Sequence, residues 1–309
     1  MSSATGTWKH FEKEKANGIV GDRTLARCIS LVENGVEGFA EFLESVQPSN
    51  TPVIGITGAP GSGKSTITDG LISEAVRAGK RVAVLCVDPS SPFNFGAVLG
   101  DRIRMNEWYT HPDVFIRSLA SRGALGGLHP RIIEITDVVR SAGFDLVIVE
   151  TVGVGQSEIE IAGLADTTVV VVVHEGGDEV QTLKAGIMEI ADIFVLNKAD
   201  RPGSQEYMKN LRMMMAPAFQ RKDQEIPIIA TVASERKGIQ ELFNACMRHT
   251  YGNNEKKTWL ITEKIIRLIQ FERMKDIAKE TIYQNVREKF DQPDFNIYRF
   301  AKQYFKRQQ

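Results

Sequence analysis

Cysteine is scarce in this chain of 309 residues: Cys28, Cys86 and Cys246 are odd in number, far apart, and form no CxxC or CxH pair. That pattern excludes a disulfide framework and a thiolate zinc site, so the three are read as reduced thiols. Histidine is equally dispersed, at positions 10, 111, 129, 174 and 249, which leaves no metal-ligand cluster of the kind a nickel carrier needs. Long apolar runs are missing too. The most apolar stretch is Thr167 to His174, far short of a membrane span, and MSSATGTWKHFEKEK has no signal-peptide core. A cytoplasmic location with no membrane contact is expected. An excess of one charge is also absent: the net charge of −1 gives no long-range attraction to nucleic acid, so no nucleic-acid partner is expected. There is no internal repeat and no low-complexity tract.

What remains is an ordinary globular composition, 42% hydrophobic and 25% charged, and it is organised in three stretches. Apolar positions at helical spacing (Leu25, Cys28, Leu31, Val32, then Val36, Phe39, Phe42) predict a helical N-terminal extension over residues 1–50. VQPSNTP interrupts it, because Pro48 and Pro52 disfavour helix and Ser49 and Asn50 favour turns. From 51 to 252 short apolar, β-branched runs alternate with helical patterns: PVIGIT, RVAVLCVD, DVFIRSL, DLVIVE, TTVVVVV, DIFVLN and IPIIAT. Runs apolar on both faces belong in a sheet covered on both sides. The expectation is an α/β fold, a doubly wound, mostly parallel sheet of about seven strands with function at the strand carboxyl ends. After TYGNNEKK, residues 253–309 change to helices with Ile261, Ile265, Leu268, Ile277 and Val286 at apolar spacing, a pattern suited to self-association as a homodimer.

Four constellations carry chemistry. Gly58-Ala59-Pro60-Gly61-Ser62-Gly63-Lys64-Ser65 fits G-x-x-x-x-G-K-[ST], and Thr66 follows. Glycines let backbone N–H groups turn onto phosphate oxygens, Lys64 would reach the β- and γ-phosphates, and Ser65 would offer a hydroxyl to Mg2+. Asn197-Lys198-Ala199-Asp200 ends the run DIFVL. A carboxylate at Asp200 accepts from both guanine N1–H and N2–H2, a donor pair that adenine lacks, so GTP rather than ATP is the expected nucleotide. Asn197 is expected to hold guanine N7 or O6 and Lys198 to pack over the ring, with Thr231, Val232 and Ala233 supporting the guanine carbonyl. Glu150-Thr-Val-Gly153 ends the run DLVIVE: a carboxylate there can serve Mg2+, and a glycine beyond it can bring an N–H onto the γ-phosphate. Finally Asp88, after RVAVLCV, and Asp101 are candidates for the metal, and Arg102 or Arg104 for the phosphate charge.

VDPSSP, LGDRIRM, FIRSLASRGALGGL, VETVGVGQSE, GGDEVQTLKAGIMEIAD and NKAD, in this order, resemble the MeaB/ArgK/MMAA family of P-loop GTPases, the G-protein chaperones of cobalamin-dependent acyl-CoA mutases. The resemblance runs from about Gly21 to Gly238. It implies GTP/GDP binding by the phosphate and guanine loops, a magnesium environment of Ser65, Asp88, Asp101 and Glu150, and switches at Phe93–Met105, Thr151–Glu158 and Gly177–Lys184. It further implies an adenosylcobalamin-dependent acyl-CoA mutase as partner and a homodimer through the C-terminal helices.

Two positions depart from the pattern: His174-Glu175 are bulkier and more polar than the family's usual residues before GDE, and Ala124 stands where some relatives carry a polar side chain. No glutamine follows Gly153, the next residue being Val154, so slow hydrolysis is expected until Gln156, Arg104 or Lys184 is drawn in by a partner. Lys64, Glu150 and Gly153 complete the expected catalytic set. The competing expectations are a small-molecule kinase linked to amino-acid transport, with Asp88 cast as base, and a metal-delivery GTPase. No D-x-H-x-x-G cobalamin motif occurs in the chain.

Overall fold

The computed structural model describes residues 2–88, 105–121, 128–151, 153, 161–174, 190–219, 226–250, 276–305 and scattered positions between 258 and 274. The chain forms two compact units, Met1–Leu260 and Ile261–Gln309. In the first, seven strands make one sheet in the order β3-β2-β4-β1-β5-β6-β7, and every pairing is parallel. They are β1 (Val53–Gly58), β2 (Val82–Asp88), β3 (Val114–Ala120), β4 (Leu146–Glu150), β5 (Thr167–Val173), β6 (Ile193–Asn197) and β7 (Ile228–Thr231). Each of the seven apolar runs becomes one strand.

Because side chains alternate across a strand, each run feeds two cores. Ala83, Leu85 and Val87 of β2 point to one face with Val147 and Val149 of β4, against α2 (Asp22–Glu33) and α5 (Ile132–Arg140). Val82, Val84 and Cys86 point to the other with Ile54 and Ile56 of β1, against α4 (Lys64–Arg77) and α7 (Ile239–Thr250). Val170, Phe194 and Leu196 pack beneath α6 (Ser204–Phe219) through Tyr207, Leu211 and Met215. Gly55 allows a close approach of the covering layer, since a Cβ there would stand 2.5 Å from the Ile161 side chain.

The N-terminal helices share the first of these cores. Trp8 and Phe11 of α1 (Ser2–Ala16) close over Phe42 of α3 (Phe39–Ser45), stacked at 4.3 Å and edge-on at 5.3 Å. Leu25, Cys28, Ile29 and Val32, spaced i, i+3, i+4 and i+7, bury the inner stripe of α2. The prolines near residue 50 mark a turn in the chain, while the apolar faces on either side of it belong to one core.

The second unit contains α8 (Lys279–Lys289) and α9 (Ile297–Ala301). Asn296 caps α9 by accepting hydrogen bonds from the Tyr298 and Arg299 N–H groups, each at 3.0 Å. Phe290, Phe295, Phe300 and Tyr304 form a run of ring contacts between 5.7 and 5.9 Å. Tyr283, Ile297, Tyr298 and Phe305 of this unit are exposed.

Candidate nucleotide site

The sheet order brings the carboxyl ends of β2, β4, β1, β5 and β6 side by side, and the polar residues that end these strands converge there. The loop 58–63 leaves β1 and turns into α4, whose first residue is Lys64. Gly63 caps the helix in the left-handed region (φ 94°), and a Cβ there would land on the Asn197 amide, so the position admits only glycine. The start of α4 thereby directs its free N–H groups and positive dipole end at the mouth of the loop, the arrangement that holds a phosphate.

Lys64 is buried, and its Nζ donates to the carbonyls of Gly58 (2.9 Å) and Ala59 (3.1 Å), which hold it across the loop. Ser65 and Thr68, one turn apart on α4, both donate to Glu150, at 2.6 Å to Oε1 and 2.7 Å to Oε2. The buried Glu150 carboxylate therefore ties β4 to the start of α4, just past the phosphate loop. Thr151 continues the link, donating its hydroxyl to Thr57 of β1 at 3.0 Å. Gly153 follows in the left-handed region (φ 81°), where a Cβ would lie 2.5 Å from Lys64 Nζ. Its backbone consequently reaches the lysine ammonium, where a γ-phosphate would sit. Asp88 is buried at the end of β2, two residues past the Cys86 that pairs with Glu150.

Ser65, Asp88 and Glu150 are hard oxygen donors, and the described residues contain no cluster of three or more His, Cys, Asp or Glu side chains suited to a metal ion. That donor set fits Mg2+, which takes most of its ligands from phosphate and water and needs few from the protein. It does not make a self-contained metal cage.

Beside the loop lies a recess of about 210 Å³ lined by Gly63, Thr66, Asn197, Lys198, Asp200, Arg201 and the stretch Val232-Ala233-Ser234. Asp200 is exposed at its rim. Asn197, which lines the recess, is also bonded within the protein. Its Nδ2 donates to the Ser62 carbonyl (2.8 Å), while Oδ1 accepts from Thr231 Oγ1 (3.1 Å) and from Ala233 N–H (3.2 Å). Buried polar groups take the partners at hand, and here the amide joins the phosphate loop to the loop after β7. Thr231 spends its hydroxyl on this joint. Lys198 adopts φ 57°, the turn that swings the chain past the recess.

Gly58, Ala59, Pro60, Gly61, Ser62, Gly63, Lys64, Ser65, Thr66, Glu150, Gly153, Asp88, Asn197, Lys198, Asp200, Thr231, Val232 and Ala233 thus gather at one end of the sheet. Asp101, Arg104, Gln156 and Lys184 lie outside the described residues, as do Val154, Glu175, Ala124 and most of the three switch segments. His174 is described: its ring is 5.4 Å from that of Tyr207 and occupies the space that a Cβ on Gly203 would need. Sequence reasoning missed Thr68, Arg201 and Ser234. Thr68 had a signal, because it falls three residues after Ser65 and so on the same helix face. The three cysteines are buried, and burial, aided by nearby Glu14, pushes the Cys28 thiol up to about 12.

A fully parallel sheet, a glycine loop running into a helix, strand-end carboxylates and a separate base-sized recess define a P-loop protein of the GTPase type. Within that class, the family described as methylmalonyl Co-A mutase-associated GTPase MeaB matches residues 25–291, and the chain belongs to it. A Pyrococcus abyssi protein named as a GTPase is 47% identical over 235 residues, covering 74% of this chain and 72% of that one. GTPase ArgK of Escherichia coli is 39% identical over 236 residues, 73% of this chain and 71% of its own. A fused isobutyryl-CoA mutase of Geobacillus kaustophilus is 37% identical over 261 residues, which are 79% of this chain and 24% of that protein. Among solved structures, one of an LAO/AO transport system kinase superposes with a TM-score of 0.65 at 24% identity, covering 98% of this chain and 97% of that one, a likeness of fold. No helix of the described residues is long and apolar enough to cross a membrane.

Proposed function

We propose that this chain is a cytoplasmic, homodimeric GTPase that times the loading and protection of an adenosylcobalamin-dependent acyl-CoA mutase, hydrolysing GTP slowly alone and faster on its partner. One observation carries the mutase reading: a protein named as a fused isobutyryl-CoA mutase contains, within a single chain, a stretch 37% identical to most of this one. A GTPase that can be joined covalently to a mutase is one whose work is done beside it.

In the proposed reaction water attacks the γ-phosphorus of GTP, the bond to the β,γ-bridging oxygen breaks, and GDP and phosphate leave. Bound Mg2+, held by Ser65 with Glu150 and Asp88 in support, would offset charge on the phosphates. The N–H groups of residues 61–66 and the Lys64 ammonium bind the phosphates in place and stabilise charge as it shifts toward the leaving oxygen. Gly153 would supply a backbone N–H to the γ-phosphate, Asp200 would select guanine, and the recess would exclude water from the base. Val154 cannot orient the attacking water, so Gln156, Arg104 or Lys184 would complete the site when a mutase draws them in. The exposed Tyr283, Ile297, Tyr298 and Phe305 support self-association of the C-terminal unit.

The test is GTP hydrolysis by the purified protein, alone and with each cobalamin-dependent mutase of the same organism, with ATP as control. A rise specific to GTP and to one mutase is expected. Labelled γ-phosphate appearing on a small-molecule acceptor, with no mutase having any effect, would replace this reading with that of a kinase.

A further inference from the structure

Asp69 stands on α4 one turn beyond Ser65, and its two carboxylate oxygens hold two distant segments. Oδ1 accepts from the Trp108 indole N–H at 2.6 Å. Oδ2 is paired with the Arg236 guanidinium, also at 2.6 Å. Trp108 ends a short 3-10 helix (Asn106–Trp108) and packs its ring against the core beneath α4. Arg236 turns the corner of the loop after β7 and is one of two non-glycine residues in the left-handed region (φ 59°) among those described. That conformation costs about 1 kcal/mol or more and persists where contacts enforce it.

The loop bearing Arg236 is the one that walls the guanine recess. It closes on itself through the Val232–Lys237 bridge, with backbone bonds of 3.1 and 3.3 Å. Asn197 grips it at the Ala233 N–H from the recess side, and Asp69 grips it at Arg236 from the α4 side. Ordinary surface ion pairs join one exposed side chain to another and contribute little. Here the carboxylate is mostly buried, 17% exposed, and both its oxygens are used by donors that belong to different segments. The second acid near Arg236, Glu107, is more distant at 3.5 Å and 63% exposed, so Asp69 sets the arginine's position.

We propose that Asp69 is a positioning residue that couples occupancy of the guanine recess to the setting of Trp108. The inference rests on the reading of the recess as the guanine site and adds to it a route of regulation. A base filling the recess fixes Ala233 and Ser234, hence Arg236, hence the Asp69 carboxylate and the indole bonded to it. Coupling of binding free energies is reciprocal, so whatever displaces Trp108 changes guanine affinity by the same factor.

The experiment titrates GDP, and separately pyrophosphate, into the full-length wild-type chain and into Asp69→Asn, Arg236→Ala, Arg236→Lys and Trp108→Phe, following tryptophan emission and calorimetric affinity. Wild type is expected to change its emission on binding GDP. Trp108→Phe loses that change, which assigns it to Trp108 rather than to Trp8 or Trp259. Asp69→Asn, which keeps an acceptor for the indole but loses the ion pair, is expected to bind GDP about fivefold more weakly and to lose the emission change. Arg236→Ala does the same and Arg236→Lys largely restores both, while pyrophosphate affinity stays within twofold of wild type in all.

Wild-type GDP affinity together with the wild-type emission change in Asp69→Asn and Arg236→Ala overturns the coupling. Equal weakening of GDP and pyrophosphate also overturns it, because Asp69 would then act on the phosphate loop. Failure of the wild-type chain to bind GDP at all removes the guanine reading itself, an outcome distinct from both. Arg236 is 41% exposed, so its variants keep the test decisive should Asp69→Asn fail to fold.

Discussion

Asn197→Asp is nearly isosteric, yet the structure makes it a severe substitution. The wild-type amide donates once, to the Ser62 carbonyl at 2.8 Å, and accepts twice, from Thr231 Oγ1 and Ala233 N–H. An aspartate keeps both acceptances and replaces the donor with a second oxygen that faces the Ser62 carbonyl in a site only 3% exposed. The lost hydrogen bond costs about 1 kcal/mol, and two acceptors left facing each other in the interior cost about 1–3 kcal/mol more. A total near 3 kcal/mol is expected at pH 7.5, similar to that of Asn197→Ala, which loses all three bonds at about 1 kcal/mol each.

The two variants part in acid. Burial and the facing carbonyl raise the folded-state pKa of the new carboxyl above the ordinary value of about 3.9. The protonated form can donate to Ser62 again. Its stabilising contribution is therefore fully present below the unfolded pKa and is lost as pH rises through the raised folded pKa. Urea denaturation of nucleotide-free protein at a series of pH values from 7.5 down to 4.5 measures both effects. Asn197→Asp should recover stability relative to Asn197→Ala as the solution is acidified. A loss smaller than about 0.5 kcal/mol at pH 7.5, or a difference between the variants that does not move with pH, would refute the joint.

Three further outcomes follow from the geometry. Gly153→Ala forces a side chain into the left-handed region at a cost of about 1–2 kcal/mol and sets a methyl 2.5 Å from Lys64 Nζ, so calorimetry should show at least about tenfold weaker GTP binding. Gly203→Ala, at φ 87° with the His174 ring 2.5 Å from the new Cβ, should destabilise by about 2 kcal/mol. Adding His174→Ala should return the steric part, about 1 kcal/mol, and leave the backbone strain, so additive losses in thermal denaturation would count against the contact. Burial raises the pKa of Glu134, against the pull of Arg131. A carboxyl shifted this way stabilises the fold below its unfolded pKa and loses that contribution as pH rises through the folded value. Glu134→Gln should accordingly gain on wild type from acid to neutral pH in paired melts, and a flat difference would contradict the shift.

The sheet was legible because its signal is local. Each strand is apolar on both faces over its own few residues, and β2, with Val82, Val84 and Cys86 on one side and Ala83, Leu85 and Val87 on the other, needs no distant information to be recognised. The phosphate loop was legible for the same reason. The joints between loops were not. Asn197 carries no local sign that it ties Ser62 to Ala233, because that joint depends on the closeness of β1 and β6 across β5. Asp69, Trp108 and Arg236 lie on three separate segments, and none stands in a motif that would single it out. Pro48 and Pro52 correctly announced a break in helix. Whether a break in the chain is also a break in the core depends on where Trp8, Phe11 and Leu25 find their partners, which is a property of faces.

These joints bear on how a nucleotide could act as a timer. On the proposed reading base and phosphates meet different loops, and loops that moved independently would let GDP keep its grip on one while the other relaxed. Asn197 binds the loop after β7 to the phosphate loop at Ser62, and Glu150 binds the start of α4 to β4 through Ser65 and Thr68. The frame around the nucleotide is thus a chain of short, buried hydrogen bonds, stiff because every member is held by another. On the proposed reading, the loss of a γ-phosphate from beside Lys64 would meet a frame already held by these bonds. The change would then fall to the backbone at Gly153, which approaches the ammonium without a side chain in the way. On the proposed reading, that is why the chemistry of one phosphate can be felt by a partner protein while the nucleotide itself stays bound.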